Sequence, residues 1–357
     1  MIKILFVLPS ITQANGVTAF LTNYLKRINL KEFKIAVLAS DLRPSENYIK
    51  LFESLNIDLH LLPNIPQNGL FKYLKALKKF FKNNHDYDMV YSNVANQSYF
   101  IFKQAKKYGI KKRVVHSHAT KSSDSFISRV RNYFLIKWML KLSTHRVACS
   151  EAAGTAMFGD RPFTVVNNAV DYDKYAFNPS VRKELRGQLN IDNSTKVVGF
   201  VGRFVQQKNV FFFIDLAENL ANEDVKILML GTGVLKNEFV EKVRSKGLVE
   251  KFTFIGECEN AHEYYSAMDC FLLPSIFEGL PVVAVEAQAN GLKCLLSDKI
   301  TKETKISEDT EFLDISNCKN WANAVMLSDG QRKEVILNEK FDISVQAQKF
   351  AEFLKAL

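Results

Sequence analysis

One segment, from Cys270 to Gly291, most constrains what this chain can fold into. It begins with a short apolar run that ends at Pro274 and is typical of a buried strand in a parallel sheet. Gly279 and Pro281 then mark a turn, and a proline suits the first turn of a helix. The residues that follow, as far as an Asn-Gly stop at Gly291, favour a helix. The segment therefore predicts a strand, a loop and a helix, the repeating unit of a doubly wound α/β sheet.

Two carboxylates and a helix N-terminus are predicted to surround one crevice at the end of this strand. Glu278 lies in the loop, and Glu286 lies about two turns into the helix. Open N–H groups near Gly279 and Leu280 suit a phosphate, and ionised carboxylates accept hydrogen bonds from sugar hydroxyls. The alternative is that both glutamates are solvated charges, since glutamate is mostly exposed. The flanking strand, the Glu-Gly-Leu-Pro loop and the apolar start of the helix favour a binding site.

This stretch resembles the E-x7-E signature of retaining glycosyltransferases with the GT-B fold, in particular family 4. The resemblance implies two Rossmann-like, doubly wound α/β domains that face an interdomain cleft. It also implies that Glu286 binds the ribose of a nucleotide-sugar donor and that Glu278 binds the sugar. Such enzymes retain the anomeric configuration, and no residue is assigned from the sequence as a covalent nucleophile.

The length of 357 residues also favours two domains. The segment Thr164–Asp171 resembles the V-x-N-G-V-D segment that joins the two domains in this family. We therefore expect an acceptor-side domain over residues 1–170 and a nucleotide-sugar-binding domain over residues 171–340. In GT-B proteins the C-terminal helix commonly crosses back onto the first domain, which we expect here for residues 341–357.

Apolar runs of strand length recur along the chain, with helical material between them. This alternation is typical of mostly parallel sheets that carry helices on both faces. The predicted strands of the first half are 2–8, Lys34–Ala39, Ile57–Leu62, Met89–Ser92, Arg113–His116, Arg146–Cys149 and Thr164–Val166. Those of the second half are Lys196–Gly202, Val225–Leu230, Phe252–Gly256, Cys270–Pro274 and Lys293–Asp298.

Strand ends of the second half match the family's donor-binding pattern. Arg203 and Lys208, which follow Gly202, resemble the G-R-x4-K segment, whose cations would hold the donor diphosphate. Without the resemblance they would be ordinary surface cations. The loops expected around the nucleotide base are marked by Gly231, Gly233, Gly256 and Glu257.

The same cations bear on the metal requirement. Arg203, Lys208 and a helix N-terminus can stabilise the charge that develops on a departing nucleoside diphosphate. We therefore expect no cofactor and no essential metal. Asp86-Tyr87-Asp88 and Asp171-Tyr172-Asp173 look like the D-x-D metal motif of the other main glycosyltransferase fold. We interpret both as charged turns, because the first leads into a strand and the second lies between the domains.

The candidate active-site residue of the first half is a histidine at a strand end. A histidine near the transferred sugar recurs in the family, and alignment of the strand ends favours His118, although a shift of one residue would select His116. The alternative is a structural histidine. We expect the two side chains to point to opposite faces, which argues against a metal site. Gly16 is the donor-binding candidate of this half, with Asn15-Gly16 where family members often carry two glycines.

The net charge of +10 is distributed unevenly. Residues 1–170 hold 25 Lys and Arg against 10 Asp and Glu, a balance of +15, whereas the rest hold 23 against 28, a balance of −5. The basic half predicts attraction to an anionic surface or ligand.

One predicted helix of this half suggests docking on an anionic inner membrane surface. Two stripes at helical spacing are Leu70, Leu74, Leu77 and Phe81, and Lys72, Lys75, Lys79 and Lys82. The lysines favour electrostatic docking. The alternative for the apolar stripe is that it packs on the domain's own sheet.

The compartment is expected to be the cytoplasm. The five cysteines are scattered, which is typical of a reduced protein, and no apolar run reaches the roughly 18 residues of a membrane span. The predicted location is thus cytoplasmic, with a peripheral position at the cytoplasmic face of the membrane as a further expectation.

The resemblance therefore predicts a hexosyl- or N-acetylhexosaminyltransferase. It would use a nucleotide-sugar, with UDP common in the family, and a saccharide or lipid-linked saccharide acceptor in capsule or exopolysaccharide biosynthesis. One alternative is a nucleotide-sugar epimerase or phosphorylase-like enzyme of the same fold. Another is a basic protein that binds nucleic acid, which the lack of an aromatic-rich recognition module disfavours. No nucleic-acid partner is expected.

Overall fold

Two α/β units make up the chain. The computed structural model describes residues 1–12, 15–40, 44–120, 126–335 and 337–357, without the side chains of residues 126–129. The first unit comprises Met1–Asn168 and Ile343–Leu357, and the second comprises Ala169–Asp342. The chain thus leaves the first unit close to the expected residue 170 and returns to it for its last helix.

A parallel sheet forms the centre of the first unit. Its strands are β1 (Ile2–Leu8), β2 (Phe33–Ser40), β3 (Asp58–Leu62), β4 (Met89–Ser92), β5 (Lys112–Ser117), β6 (His145–Ala148) and β7 (Thr164–Val165). They lie in the order β3-β2-β1-β4-β5-β6-β7. The helices between them are α1 (Gly16–Leu25), α2 (Glu46–Ser54), α3 (Ile65–Asn83), α4 (Ser98–Lys107), α5 (Phe126–Leu142) and α6 (Glu151–Phe158).

The second unit repeats this plan. Its strands are β8 (Lys196–Val201), β9 (Val225–Leu230), β10 (Phe252–Gly256), β11 (Cys270–Leu273), β12 (Lys293–Ser297) and β13 (Thr310–Leu313), in the order β10-β9-β8-β11-β12-β13. Its helices are α7 (Tyr172–Tyr175), α8 (Pro179–Gln188), α9 (Phe212–Asn219), α10 (Lys236–Ser245), α11 (Ala261–Ala267), α12 (Val282–Ala289) and α13 (Cys318–Leu327). Two doubly wound sheets confirm the predicted Rossmann-like fold class.

The strand order reverses direction once in each sheet. In the first the reversal lies between β1 and β4, and in the second between β8 and β11. Neighbouring loops diverge at such a point, and the crevice between them is where open α/β sheets bind ligands. The loops after β1 and β4 in the first sheet, and those after β8 and β11 in the second, are therefore the places to look for a site.

The last helix, α14 (Ile343–Ala356), belongs to the first unit. Its Phe350 packs against Tyr24 of α1, with ring centroids 5.0 Å apart, and against Tyr91 of β4 at 5.8 Å. The helix begins two residues after the expected Phe341. These aromatic contacts show that the C-terminal helix contributes to the hydrophobic core of the first unit.

Both D-x-D sequences have structural roles. Asp88 accepts a hydrogen bond from the backbone N–H of Lys3 at 2.8 Å, and the Lys3 ammonium pairs with Asp86. Asp171 caps α7 by accepting from the backbone N–H of Lys174 at 3.3 Å. The second sequence is thus a helix cap rather than a plain turn.

The apolar stripe predicted on α3 divides into a buried and an exposed part. Leu77 and Phe81 are fully buried, as the packing alternative requires. Leu70, which directly follows the kink at Gly69, is exposed, and the neighbouring Phe71 is 91% exposed. Of the four residues of the stripe, Leu77 and Phe81 therefore pack inside the unit, whereas Leu70 does not.

Candidate functional site

An ion pair joins the two loops at the switch point of the second sheet. Lys208 ends a short 3-10 turn after β8, and Glu278 lies in the loop after β11. The Nζ atom of Lys208 lies 2.7 Å from Oε1 of Glu278, and the two side chains are only 11% and 10% exposed. A buried pair of this kind is stable only when further hydrogen bonds satisfy its remaining polar atoms.

Gln207 provides such hydrogen bonds. Its Nε2 donates to Oε2 of Glu278 at 3.2 Å and to the backbone oxygen of Phe277 at 3.0 Å. In return, the backbone N–H of Ile276 donates to the carbonyl oxygen of Gln207 at 2.9 Å. The loops after β8 and β11 are therefore fixed to each other, and Glu278 is held in one orientation.

The predicted glycines meet at the same edge of the sheet. A Cβ on Gly231 would lie 2.1 Å from the carbonyl oxygen of Gly202, and one on Gly233 would lie 2.5 Å from that of Phe204. The backbone N–H of Gly231 also donates to the carbonyl oxygen of Gly256 at 2.7 Å. Only glycine permits this approach of the three loops, which leaves their backbones at the surface of the crevice.

The loop after β11 leads into a helix N-terminus that no side chain caps. Gly279 and Leu280 are buried, and Pro281 precedes α12. The first turn of α12 contains no acidic residue. Since the positive end of the helix dipole is not neutralised by a side chain of the helix itself, this position suits an anion.

Two of the predicted donor-binding residues at this edge are exposed. Arg203 lies between Gly202 and Phe204, whose backbones touch the loop after β9, so its main chain is fixed while its side chain is exposed. Glu257 directly follows β10 and is also exposed. Both can reach a ligand without breaking a buried contact.

Glu286 lies on α12, where two tyrosines hold its carboxylate. The hydroxyl of Tyr175 donates to Oε1 at 2.8 Å, and that of Tyr265 donates to Oε2 at 2.7 Å. Burial raises the pKa of Glu286, although the two hydroxyl hydrogen bonds act in the opposite direction. Each carboxylate oxygen has a second lone pair, so the oriented group can still accept from ligand hydroxyls.

In the first unit, His118 lies just beyond β5 and contacts the residue that follows β4. Its Nε2 lies 2.9 Å from Oδ1 of Asn93, whose Nδ2 donates to the backbone oxygen of Val7 at 3.3 Å. Because the amide oxygen of Asn93 must then accept, the hydrogen-bond network assigns the proton of His118 to Nε2 and leaves a lone pair on Nδ1. Burial lowers the pKa of His118 to about 3, so the ring is neutral.

His116 is buried more deeply, and its ring lies beside that of His118. Its Nδ1 lies 3.0 Å from the hydroxyl of Tyr91, and the centroids of the two imidazoles are 4.0 Å apart. The expectation that the side chains point to opposite faces is therefore wrong, because residues i and i+2 of an extended segment share a face. Burial and the neighbouring His118 lower the pKa of His116.

Gly16 begins α1 and is exposed. The first amides of this helix are already satisfied, because Oδ1 of Asn15 accepts from the N–H groups of Val17 at 3.0 Å and Thr18 at 3.4 Å. Space around Gly16 is open, with nothing within 4 Å of a Cβ placed there. Its donor-binding role stays a prediction.

The residues that orient the site are not identified by the sequence interpretation. Gln207, Tyr175 and Tyr265 hold the two glutamates, and Asn93 holds His118. A signal existed for two of them, since Asn93 directly follows a predicted strand and Tyr265 lies in a segment that matches the family. Nothing near Tyr175 in the sequence indicates its contact with Glu286.

The described residues contain neither a cluster of metal ligands nor a helix that could span a membrane. No three His, Cys, Asp or Glu side chains among them are grouped so that they could hold a metal ion. No helix in the same part of the chain is both long and apolar enough to cross a bilayer.

Sequence comparison places the chain among glycosyltransferases. The family model for glycosyl transferases group 1 matches residues 181–327. EpsF of Bacillus subtilis, described as a glycosyltransferase, is 30% identical over 311 residues, which cover 84% of this chain and 80% of EpsF. The capsular polysaccharide biosynthesis glycosyltransferase CapH of Staphylococcus aureus is 26% identical over 99% of this chain and 98% of CapH.

A third relative has a named donor and acceptor. The UDP-Gal:alpha-D-GlcNAc-diphosphoundecaprenol alpha-1,3-galactosyltransferase of Escherichia coli is 25% identical over 77% of this chain and 76% of that enzyme.

Solved structures agree on the fold. HepE of Anabaena in complex with UDP and glucose superposes with a TM-score of 0.84 at 20% identity and full coverage of both chains. Sucrose-phosphate synthase of Thermosynechococcus elongatus gives a TM-score of 0.81 at 15% identity, covering all of this chain and 99% of the synthase. The fold of this chain is GT-B.

Proposed function

This chain belongs to the group 1 family of glycosyltransferases, and we propose that it moves a hexosyl or N-acetylhexosaminyl group from a UDP-sugar to a saccharide or lipid-linked saccharide. We place it in family 4, with retention of anomeric configuration, and in surface polysaccharide synthesis. The observation that carries the proposal is the Lys208–Glu278 pair beside the uncapped start of α12. Lys208 and the start of α12 could bind a diphosphate. The carboxylate of Glu278 could accept hydrogen bonds from sugar hydroxyls.

The diphosphate is the part of the donor that gains charge when the glycosidic bond breaks. Arg203 supplies a guanidinium that can bind it through two hydrogen bonds, and Lys208 supplies a point charge. The N–H groups at the start of α12 add oriented dipoles. Lys208 and the start of α12 are held in place before the nucleotide-sugar binds, so they can stabilise the leaving group without reorganisation.

Glu286 is assigned to the ribose. Tyr175 and Tyr265 leave each of its oxygens able to accept one more hydrogen bond. The backbones around Gly231, Gly233 and Gly256 would face the base. The complex of HepE with UDP and glucose supports this choice of nucleotide for a chain of the same fold.

His118 is assigned to the transferred sugar. The Nδ1 atom of its neutral ring can accept a hydrogen bond from a sugar hydroxyl, while Nε2 donates one to Asn93. A neutral imidazole adds no positive charge next to the anomeric carbon, where positive charge develops. If the acceptor attacks on the same face as the departing diphosphate, no residue of the protein has to act as a covalent nucleophile.

We also propose that the reaction needs no metal, since Arg203, Lys208 and the start of α12 already supply positive charge where the diphosphate would bind. The location proposed is the cytoplasm, at the inner face of the membrane. The Escherichia coli relative is named for a diphosphoundecaprenol-linked substrate, which supports an acceptor presented at a membrane.

The experiment is a coupled assay of UDP release from UDP-sugars, with and without a diphospholipid-linked saccharide. Transfer predicts release that requires acceptor, a product with the donor's anomeric configuration, and full activity in the presence of EDTA. Conversion of the donor sugar without acceptor would indicate an epimerase, and loss of activity with EDTA would contradict metal independence.

A further inference from the structure

Lys236, the first residue of α10, carries a cation that lies among the loops of the candidate donor site. Its Nζ atom is 3.8 Å from the position that a Cβ on Gly256 would occupy, so the ammonium lies over the end of β10. The side chain is half-buried, and among the described residues it has neither an ion pair nor a hydrogen-bond partner. Such a cation loses part of its hydration without gaining a counter-ion. A ligand atom that accepts its hydrogen bonds would therefore stabilise it.

The main chain at the start of α10 is fixed to two of these loops. The backbone N–H of Lys236 donates to the carbonyl oxygen of Gly233 at 3.1 Å, and that of Leu235 donates to the carbonyl oxygen of Phe204 at 3.0 Å. The start of the helix is thus bound to the loops after β9 and β8. Because the backbone is held in place, the ammonium stays close to the ends of β9 and β10.

The position of Lys236 along the sheet separates it from the diphosphate. Lys208 and Glu278 follow β8 and β11, whereas the ammonium of Lys236 lies over β10, two strands beyond β8. Neighbouring strands are about 4.8 Å apart, so this offset is about 10 Å. In a nucleoside diphosphate the ribose lies between the diphosphate and the base. A nucleotide whose diphosphate lies beside Lys208 and whose base lies against Gly231 and Gly256 would place the base at Lys236.

An ammonium can distinguish bases by one chemical property. It has three hydrogen-bond donors and no acceptor. It can therefore bind a carbonyl oxygen of a base, but it cannot pair with an exocyclic amino group, which is also a donor. Uracil carries a carbonyl oxygen at position 4, where cytosine carries an amino group. The two pyrimidines share the carbonyl at position 2, so only a contact at position 4 separates them.

We propose that Lys236 donates a hydrogen bond to the carbonyl oxygen at position 4 of the donor's uracil and thereby selects UDP-sugars over CDP-sugars. The inference rests on the proposed transferase function, in which the base faces the backbones around Gly231, Gly233 and Gly256. It adds to that function the side chain that determines which base is accepted. A charge-assisted hydrogen bond is roughly twice as strong as one between neutral groups, so this contact can outweigh those from the backbone.

Binding of free nucleotides tests this inference without requiring turnover. UDP, CDP and inorganic diphosphate are titrated by calorimetry into the whole chain. Lys236→Met keeps the length of the side chain and removes its charge, whereas Lys236→Arg keeps the charge. Lys242→Met is the matched control, because Lys242 is an exposed cation of the same helix that pairs with Glu238.

The wild-type chain should bind UDP about tenfold or more tightly than CDP, because only UDP offers an acceptor for a charge-assisted hydrogen bond. Lys236→Met should weaken UDP binding by about that factor, which abolishes the preference. It should change the affinities for CDP and inorganic diphosphate by less than about twofold, since salt screens a charge about 10 Å away. Lys236→Arg should retain most of the preference, and Lys242→Met should change each affinity by less than about twofold.

Two results would overturn the inference. One is equal affinity of the wild-type chain for UDP and CDP. The other is a Lys236→Met chain that keeps the wild-type ratio of the two affinities; a parallel loss for UDP, CDP and inorganic diphosphate would indicate general attraction to negative charge. Failure of the proposed function is distinguishable. A chain that binds UDP with the expected preference but transfers no sugar to any acceptor would contradict the function and leave the base contact intact.

Discussion

Lys208 and Glu278 form an ion pair with their charged atoms 2.7 Å apart, although they follow different strands of the second sheet. In the absence of donor they neutralise each other inside the protein. Removal of one partner leaves a buried charge without compensation, which costs about 3–5 kcal/mol. The same two residues are therefore expected to affect both folding and catalysis, and experiments must separate these effects.

A double variant can separate them. Lys208→Met and Glu278→Gln should each lower the free energy of unfolding by about 3–5 kcal/mol, whereas the double variant should recover most of that loss. None of the three should transfer sugar at more than about one hundredth of the wild-type rate, because each lacks a preorganised charged group of the site. Urea unfolding and a transfer assay measure the two properties.

The matched control is Lys242→Met, which breaks the exposed pair with Glu238 on α10. It should cost less than about 0.5 kcal/mol. A double variant that regains activity together with stability would show that the pair is only structural.

The ionisation of the buried Glu286 carboxylate should make nucleotide binding depend on pH. Burial raises its pKa above the ordinary 4.5, so the carboxylate takes up a proton at a higher pH than most glutamates and then loses acceptor capacity. UDP affinity should therefore fall as the pH is lowered toward this raised pKa. Tyr265→Phe removes a hydrogen bond that lowers the pKa, so it should shift this loss to higher pH.

Calorimetric titration of UDP between about pH 5 and 8 measures the effect. Tyr264→Phe, a change at the adjacent position, serves as the control and should leave the midpoint in place. If Glu286→Gln binds UDP with the wild-type affinity and pH dependence, the assignment of Glu286 to the ribose is incorrect.

The two histidines should respond differently to truncation. His118→Ala should abolish most transfer with little change in melting temperature, since its ring lines a cavity of the first unit. His116→Ala should lower the melting temperature, because its ring is buried against Tyr91 and Phe20. Thermal melts and transfer assays of both variants distinguish them. An inactive but stable His116→Ala beside an active His118→Ala would reverse the assignment.

The pKa of His118 adds a second measurement to this prediction. Because that pKa is about 3, the ring stays neutral between about pH 5 and 8, and its titration should produce no inflection in the rate over that range. Any acidic inflection there should persist in His118→Asn.

Gly231 should tolerate no side chain. A Cβ there would lie 2.1 Å from the carbonyl oxygen of Gly202, so Gly231→Ala should separate the loops after β8 and β9. We expect weaker UDP binding and a lower melting temperature. Gly187, in the last turn of α8, has no atom within 4 Å of a Cβ, and Gly187→Ala should stabilise the chain by at most about 0.5–1 kcal/mol. Equal effects of the two substitutions would contradict this packing argument.

The helical face of the first unit predicts salt-sensitive membrane binding. α4 contacts both α3 and α5, and the sequences of these three helices contain no aspartate or glutamate. Their exposed cations are Lys72, Lys75, Lys78, Lys79, Lys82, Lys103, Lys106, Lys107, Arg131, Lys137 and Lys141. Each cation near an anionic surface adds about 1 kcal/mol of attraction.

Vesicle flotation tests this prediction. Binding to anionic vesicles should decline as salt rises and should weaken when Lys72, Lys75, Lys79 and Lys82 are replaced by glutamine. Equal binding to neutral and anionic vesicles, or no binding to either at low salt, would count against docking through charge.

Most strands could be predicted because parallel strands buried on both faces contain continuous apolar runs. β4 and β9 have the predicted bounds. β13 is absent from the prediction because it is a short edge strand in which only Thr310 is buried and Glu311 is exposed. Its sequence, Thr-Glu-Phe-Leu, has no apolar run of strand length to reveal it.

The positions of Lys208, Glu278 and His118 at strand ends could be predicted, because ligand-binding residues gather at the carboxyl ends of parallel strands. Their partners could not. Tyr175 lies on a helix 111 positions before Glu286 in the sequence, yet its hydroxyl contacts that carboxylate. The direction of such a side chain depends on tertiary contacts that local sequence does not encode.

The position of α14 limits the order in which the chain can mature as it leaves the ribosome. The whole second unit, Ala169–Asp342, is synthesised between β7 and α14. Until the last residues emerge, Tyr24 and Tyr91 lack the ring of Phe350 against which they pack. Because domains generally fold as units during synthesis, the second unit can close its core while the first still waits. The first unit, most of which is synthesised before the second, therefore completes its core after the second.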